Sequence, residues 1–297
     1  MYKGSVYSII FAPIAAEKAA DGLLFLSYWD LPYNNFNYSY IDVAVDHYGF
    51  STLSIDRFGI GNSSVADPLS IIQAPAEMSA IYEITKKLRN GTVPHVPQAF
   101  ETVVHVGHSF GSILTYNMVA KYPHASDGIV LTGYSQNASF LFATIADWNS
   151  KLARLNQPLR FGNMSSTAMK QALSMIINPT LNKTFEKPLW IYNITIAEIN
   201  SVVQSSGLGD FITGYNSINQ ANMRDLPTGY LTWADASSNQ YTFLYPGFFD
   251  PSVLNFAEST KMPYTLGELL TIGSSPKINM FKGPVQVVTG SKPSHRY

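Results

Sequence analysis

The sequence predicts an α/β fold built on a mostly parallel sheet, and three observations predict it. Short runs of strand chemistry at Ser51 to Ile55, Thr102 to Val106, Gly128 to Gly133 and Val285 to Val288 are separated by helical patterns rather than by tight hairpins. A Gly-x-Ser-x-Gly pentapeptide, Gly107-His108-Ser109-Phe110-Gly111, sits where a strand passes into a helix. The chain of 297 residues is 46% hydrophobic, enough to bury a full core.

Taken in order, Ser5 to Phe11 is strand-like and Leu23 to Leu26 is apolar, but residues 1 to 26 give no clear assignment. Ser51 to Ile55 runs into the glycine-punctuated turn Asp56-Arg57-Phe58-Gly59-Ile60-Gly61-Asn62-Ser63. Glu77 to Arg89 reads as a helix, because Met78, Ile81, Ile84 and Leu88 share one face and Asn90-Gly91 ends it. The strand before the pentapeptide and the helix after it, Ser112 to about Tyr122, give the strand, sharp turn and helix of a nucleophile elbow. Gly107 and Gly111 are expected to let helix and strand approach closely, with Ser109 in a strained backbone conformation. The hydroxyl of Ser109 would then stand above the sheet, where the helix N-terminus and the N–H of Phe110 can stabilise an oxyanion. From 134 to about 262 the chain is rich in Asn, Ser and aromatics, with short helical pieces and no comparable buried strand, which reads as an insertion. Asp250-Pro251 starts a helix, Thr265-Leu266-Gly267-Glu268 is a capping box opening a helix to about Ile272, and Val285 to Val288 returns to strand.

Composition narrows the class of partner. A net charge of -1 with no basic cluster argues against nucleic acid, and no apolar run is long enough for a transmembrane helix. Only 13% of residues are charged, about half the usual share. Together with seven N-x-S/T sequons, at Asn37, Asn62, Asn90, Asn137, Asn163, Asn182 and Asn193, this suits a secreted glycoprotein, although Met1-Tyr2-Lys3-Gly4 is not followed by the apolar core and small-residue cleavage site of a signal peptide. There is no cysteine, hence no disulfide and no thiolate metal site. No His/Asp/Glu cluster has metal-ligand spacing, and no cofactor is expected.

On Tyr28-Trp29-Asp30-Leu31-Pro32-Tyr33, Ser54 to Ser63, Val106 to Gly111, Leu131-Thr132-Gly133, Tyr245 to Pro251 and Gly267 to Ile272, the sequence resembles the α/β-hydrolase superfamily, and within it the secreted fungal and bacterial hydrolase-like proteins. The resemblance implies an α/β-hydrolase core in residues 1–133, a helical cap in 134–262 and the last part of the core in 263–297. It also implies a Ser-acid-His triad with Ser109 as nucleophile and a small-molecule ester-like substrate. Trp148, Trp190, Trp233, Phe243, Tyr245 and Phe248 are then candidates for an apolar pocket, though for each one a place in the cap's own core is the stronger reading.

The sequence departs from that pattern at both ends. The oxyanion loop would normally carry His-Gly, and Asp21-Gly22 stands there instead. The acid belongs just after the strand at 285–289, where the sequence reads Gly290-Ser291-Lys292-Pro293-Ser294-His295-Arg296-Tyr297, and the final strand and helix are expected to be missing. His105 and His108 read as packed residues. His47, His95 and His124 have no motif to recommend them, His295 falls in the acid's loop, and Asp147 falls on a cap helix. A chain lacking acid and base is expected to lose about a million-fold in turnover, retaining about a thousand-fold over water. A fold kept for binding an apolar ligand or a partner is the alternative.

Overall fold

The computed structural model describes residues 6–9, 29–31, 33–61, 63–94, 96, 98–137, 141–162, 225–273 and 275–290. Numbered in chain order, the elements begin with β1 (Val6–Ile9), a short hairpin of β2 (Asp30–Leu31) and β3 (Tyr38–Ser39), and α1 (Tyr40–Asp42), which continues into a wider turn at Val43–His47. β4 (Ser51–Leu53), α2 (Ala74–Asn90), β5 (Val103–His108), α3 (Phe110–Lys121) and β6 (Gly128–Thr132) follow.

The main sheet runs β10-β6-β5-β1-β4, where β10 is Val285–Val288. Every pairing in it is parallel, so each connection must cross a face of the sheet. The β5 strand therefore has neighbours on both sides and alternates its side chains between two covered faces. Val103 packs with Leu88 of α2, and His105 also turns to α2, whereas Val106 packs with Trp29. The principal core lies between α2, α3 and the sheet: Met78 and Ile81 meet Phe110, Leu114 and Met118, which recur every fourth residue on α3, over Ile129 and Leu131. Gly91 ends α2 in the left-handed conformation at φ +65°, its N–H bonding Leu88 and that of Thr92 bonding Lys87.

Beyond β6 come α4 (Leu141–Asp147), β7 (Lys151–Leu152), α5 (Ala153–Asn156), α6 (Pro158–Phe161), β8 (Tyr230–Thr232), α7 (Ala236–Phe243), α8 (Pro251–Thr260), β9 (Tyr264–Thr265) and α9 (Leu266–Thr271). Here the structure corrects the expectation of helical pieces alone. β7, β8 and β9 form a three-stranded antiparallel sheet, and β8 is buried. Its three residues are too few to show a period of two between Gly229 and Trp233. Trp148, Trp233 and Tyr264 form the core of this unit, and the Trp233 indole donates to Glu258 at 2.8 Å. Trp148 and Trp233 are thus core residues, whereas Phe248 is exposed; Trp190 lies outside the described residues.

Capping follows the sequence closely. Asp250 caps α8 by accepting from Ser252 N, with Pro251 as first helical residue, and Thr265 and Glu268 make both bonds of a capping box on α9. The box is tied to the sheet's loops. Arg57, from the turn after β4, donates to the Glu268 carboxylate, and Glu77 of α2 accepts the N–H of Phe58 at 3.0 Å in the same buried cluster.

Candidate active site

Ser109 is the single residue between β5 and α3, and its backbone carries the strain of the reversal at φ +50°, ψ -115°. For a residue with a Cβ, this conformation costs about 1 to 3 kcal/mol and persists only where neighbours hold it. The neighbours are visible. The N–H of Ser109 donates to the Thr132 carbonyl at 2.9 Å, and its own carbonyl accepts from Ser112 and Ile113 in the first turn of α3. A Cβ on Gly107 would lie 2.5 Å from the Gly111 carbonyl oxygen and 2.6 Å from the Ser112 nitrogen, so helix and strand meet at a distance only glycine permits.

Phe110 is the first residue of α3, where N–H groups have no acceptor within the helix and the helix dipole is positive. Its ring is buried in the principal core. The backbone can therefore offer a donor beside the Ser109 hydroxyl while the side chain anchors the turn. The hydroxyl itself makes no hydrogen bond among the described residues.

His108 faces away from that role. Thr132 Oγ1 donates to the Gly107 carbonyl at 3.1 Å, and so it receives the Nδ1 proton of His108 at 2.8 Å. The imidazole stands edge-on to Trp29 with ring centres 6.3 Å apart. Gly133, at φ +55°, leaves room for it: a Cβ there would come within 2.9 Å of the ring. Burial pushes its pKa down to about 4. His105 is wholly buried, Nε2 against Thr85 Oγ1 at 2.9 Å and Nδ1 against Ser126 Oγ at 2.8 Å, and burial pushes its pKa down to about 3. Both are neutral packing residues near neutral pH. His47 and His124 are exposed, Asp147 ends α4, and His95, His295, Asp21 and Gly22 lie outside the described residues.

Two features were not readable from the motif. Thr132 holds both the Ser109 amide, through its carbonyl, and the His108 ring, through its hydroxyl, and only the β5·β6 register reveals this. The hairpin at β2 and β3 brings Trp29 against His108, with the Asp30 carboxylate accepting from Ser39 Oγ at 2.7 Å. Among the described residues no group of three His, Cys, Asp or Glu could hold a metal ion, and no helix is long and apolar enough to cross a membrane. Asn37, Asn90 and Asn137 are exposed, and Asn62, Asn163, Asn182 and Asn193 lie outside the described residues.

No family model matches this chain. No curated protein matches it either. Among solved structures, DcsB in complex with its substrate analogue is similar over 49% of this chain and 44% of its own, with 15% identity and a TM-score of 0.31. Rv0554 from Mycobacterium tuberculosis is similar over 98% of this chain and 74% of its own, with 13% identity and a TM-score of 0.37. This chain thus aligns with less than half of the DcsB chain. By its own sheet and helices it is a mixed α/β protein with a parallel sheet flanked by helices.

Proposed function

We propose that this chain is a serine-nucleophile hydrolase of the α/β-hydrolase superfamily, acting on a carboxylic ester or related carbonyl substrate. The observation that carries the reading is the strained Ser109 at φ +50° between β5 and α3, locked by Gly107 against Gly111. In the proposed reaction, Ser109 Oγ attacks the carbonyl carbon, the hydroxyl proton passes to a base, and the Phe110 N–H stabilises the oxyanion. Collapse expels the alcohol, which takes up the proton, and water then releases the acid from the acyl-enzyme. Residues 134–262 would act as the cap that sets substrate choice. The same proposal places the protein outside the cell, with glycans at the exposed Asn37, Asn90 and Asn137.

The test is labelling with a fluorophosphonate probe. Labelling of the wild type that disappears in Ser109→Ala supports the reading, and a label that survives the substitution overturns it. A second reading is favoured by the Ser109 hydroxyl, which no described histidine or carboxylate hydrogen-bonds: a non-catalytic relative that binds an apolar ligand or a partner. It predicts ligand binding unchanged in Ser109→Ala and ester turnover no greater than the variant's.

A further inference from the structure

The segment from Pro276 to Lys282 crosses the outside of α3 with its alternate side chains sent in opposite directions. Asn279 Nδ2 donates to the Tyr116 carbonyl at 3.2 Å, and Phe281 packs into the principal core while its N–H bonds Asn279 Oδ1 at 3.0 Å. Gln136 Nε2 reaches the Pro276 carbonyl at 3.3 Å. With Asn279 and Phe281 pinned inward, Ile278 and Met280 are turned out, 77% and 63% exposed. Lys277 and Lys282, both exposed, bracket them, and neither forms an ion pair among the described residues.

The surface continues beyond this pair. An open cleft of about 280 Å³ lies between the segment and the two helices, lined by Ala74, Pro75, Met78, Asn117, Ala120 and Pro276, with Lys121 at its edge. The Asn117 Oδ1 is buried there without a hydrogen-bond partner. Lys121, also exposed, lines that cleft together with Pro276, and no Asp or Glu occurs in the sequence after Glu268. Protruding aliphatic side chains, an adjoining mostly apolar cleft and three exposed lysines, with the nearby Asp127 carboxylate paired to Arg89, form the two-signal pattern that holds a protein at an anionic lipid surface.

We propose that the face formed by residues 276–282 and the C-terminal half of α3 docks onto a bilayer carrying anionic headgroups. Ile278 and Met280 enter the acyl boundary, and Lys121, Lys277 and Lys282 meet the lipid phosphates. Each apolar side chain contributes about tenfold or more in affinity on burial, and each lysine contributes about fivefold near an anionic surface. This proposal does not depend on the role of Ser109.

The experiment is co-flotation of the full chain with vesicles of phosphatidylcholine alone and of phosphatidylcholine mixed with phosphatidylglycerol. The mixed vesicles are expected to carry the protein and the neutral ones to leave most of it behind. Binding should weaken at high salt, by about a hundredfold or more in the Ile278→Ser/Met280→Ser pair, and to the neutral level in Lys277→Glu/Lys282→Glu. All four side chains are exposed, so thermal unfolding of both variants should match the wild type and separate loss of binding from loss of fold. Equal partition into both vesicle types, or variants that bind like the wild type, overturns the proposal. So does a concentration-dependent dimer abolished by the same substitutions, which would give the face to a second copy of the chain.

Discussion

The guanidinium of Arg57, in the turn that follows β4, donates to the carboxylate of Glu268 in the capping box of α9, joining two segments 211 positions apart with both side chains almost wholly buried. The other Glu268 oxygen accepts the Thr265 N–H at 2.7 Å, and Arg57 also reaches the Pro263 carbonyl at 3.1 Å. Removing the cation strands a carboxylate in the interior. Arg57→Met is expected to destabilise the protein by about 3 to 5 kcal/mol in urea unfolding.

Glu77 lies in the same cluster, and burial together with the nearby Glu268 pushes its pKa up to about 8. The unfolded chain releases this proton near 4.5, so the folded state holds it in excess between those values. Its contribution is therefore complete below pH 4.5 and is lost as pH rises towards 8, at roughly 1.4 kcal/mol per pH unit at most. Glu77→Gln keeps the acceptor for Phe58 N–H and cannot ionise. Thermal unfolding between pH 5 and pH 9 should show a falling stability in the wild type and a flatter one in the variant.

His105 gives the opposite slope. Burial first, and the Arg89 charge second, bring its pKa from 6.5 to about 3, so the folded state keeps the ring neutral where the unfolded chain protonates it. Stability is full above pH 6.5 and declines as pH falls towards 3, and the buried His108 adds to the decline. His105→Gln should lessen the acid slope in a thermal series extended down to pH 3. An unchanged slope would mean that the network with Thr85 and Ser126 accommodates the imidazolium.

Ser109→Gly separates strain from chemistry. Glycine adopts φ +50° freely, so the substitution is expected to raise stability by about 1 kcal/mol while abolishing labelling by a fluorophosphonate. A loss of stability would show that the turn does not hold Ser109 under strain.

Gly107→Ala tests the close approach behind that turn. The added methyl meets backbone atoms of Gly111 and Ser112 at 2.5 to 2.6 Å, which cannot yield without moving α3. The expected cost is about 3 kcal/mol or more by urea unfolding, together with a loss of probe labelling as Ser109 shifts.

Much of this architecture is written locally. The capping box at Thr265 and Glu268, the Gly91 stop of α2, the Asp250 cap and the strand at 285–288 all declare themselves within a few residues, because their hydrogen bonds are short-range. β8 does not, since three residues cannot display a period and its burial comes from β7 and β9 on distant parts of the chain. The candidate site divides in the same way. Gly107, Ser109 and Gly111 are legible because one turn needs them all, but Thr132 and Trp29 depend on pairings across the fold. The sequence also marked Arg57 and Glu268 only as members of motifs, with nothing to say that they meet.

The order of the main sheet has a consequence for how the chain is made. β1, the first of the described strands, lies between β4 and β5 and pairs Val6 with Val103, so it must wait for about a hundred further residues before its second flank is filled. β6 in turn waits for β10, with the whole 134–262 segment between them. The strand that presents Ser109 is thus completed by partners from both directions along the chain. Its own ladder is complete once β6 has been made as far as Thr132, whereas β6 keeps an open edge until β10 follows, and a chaperone contact that covers that edge in the interval would protect the growing sheet.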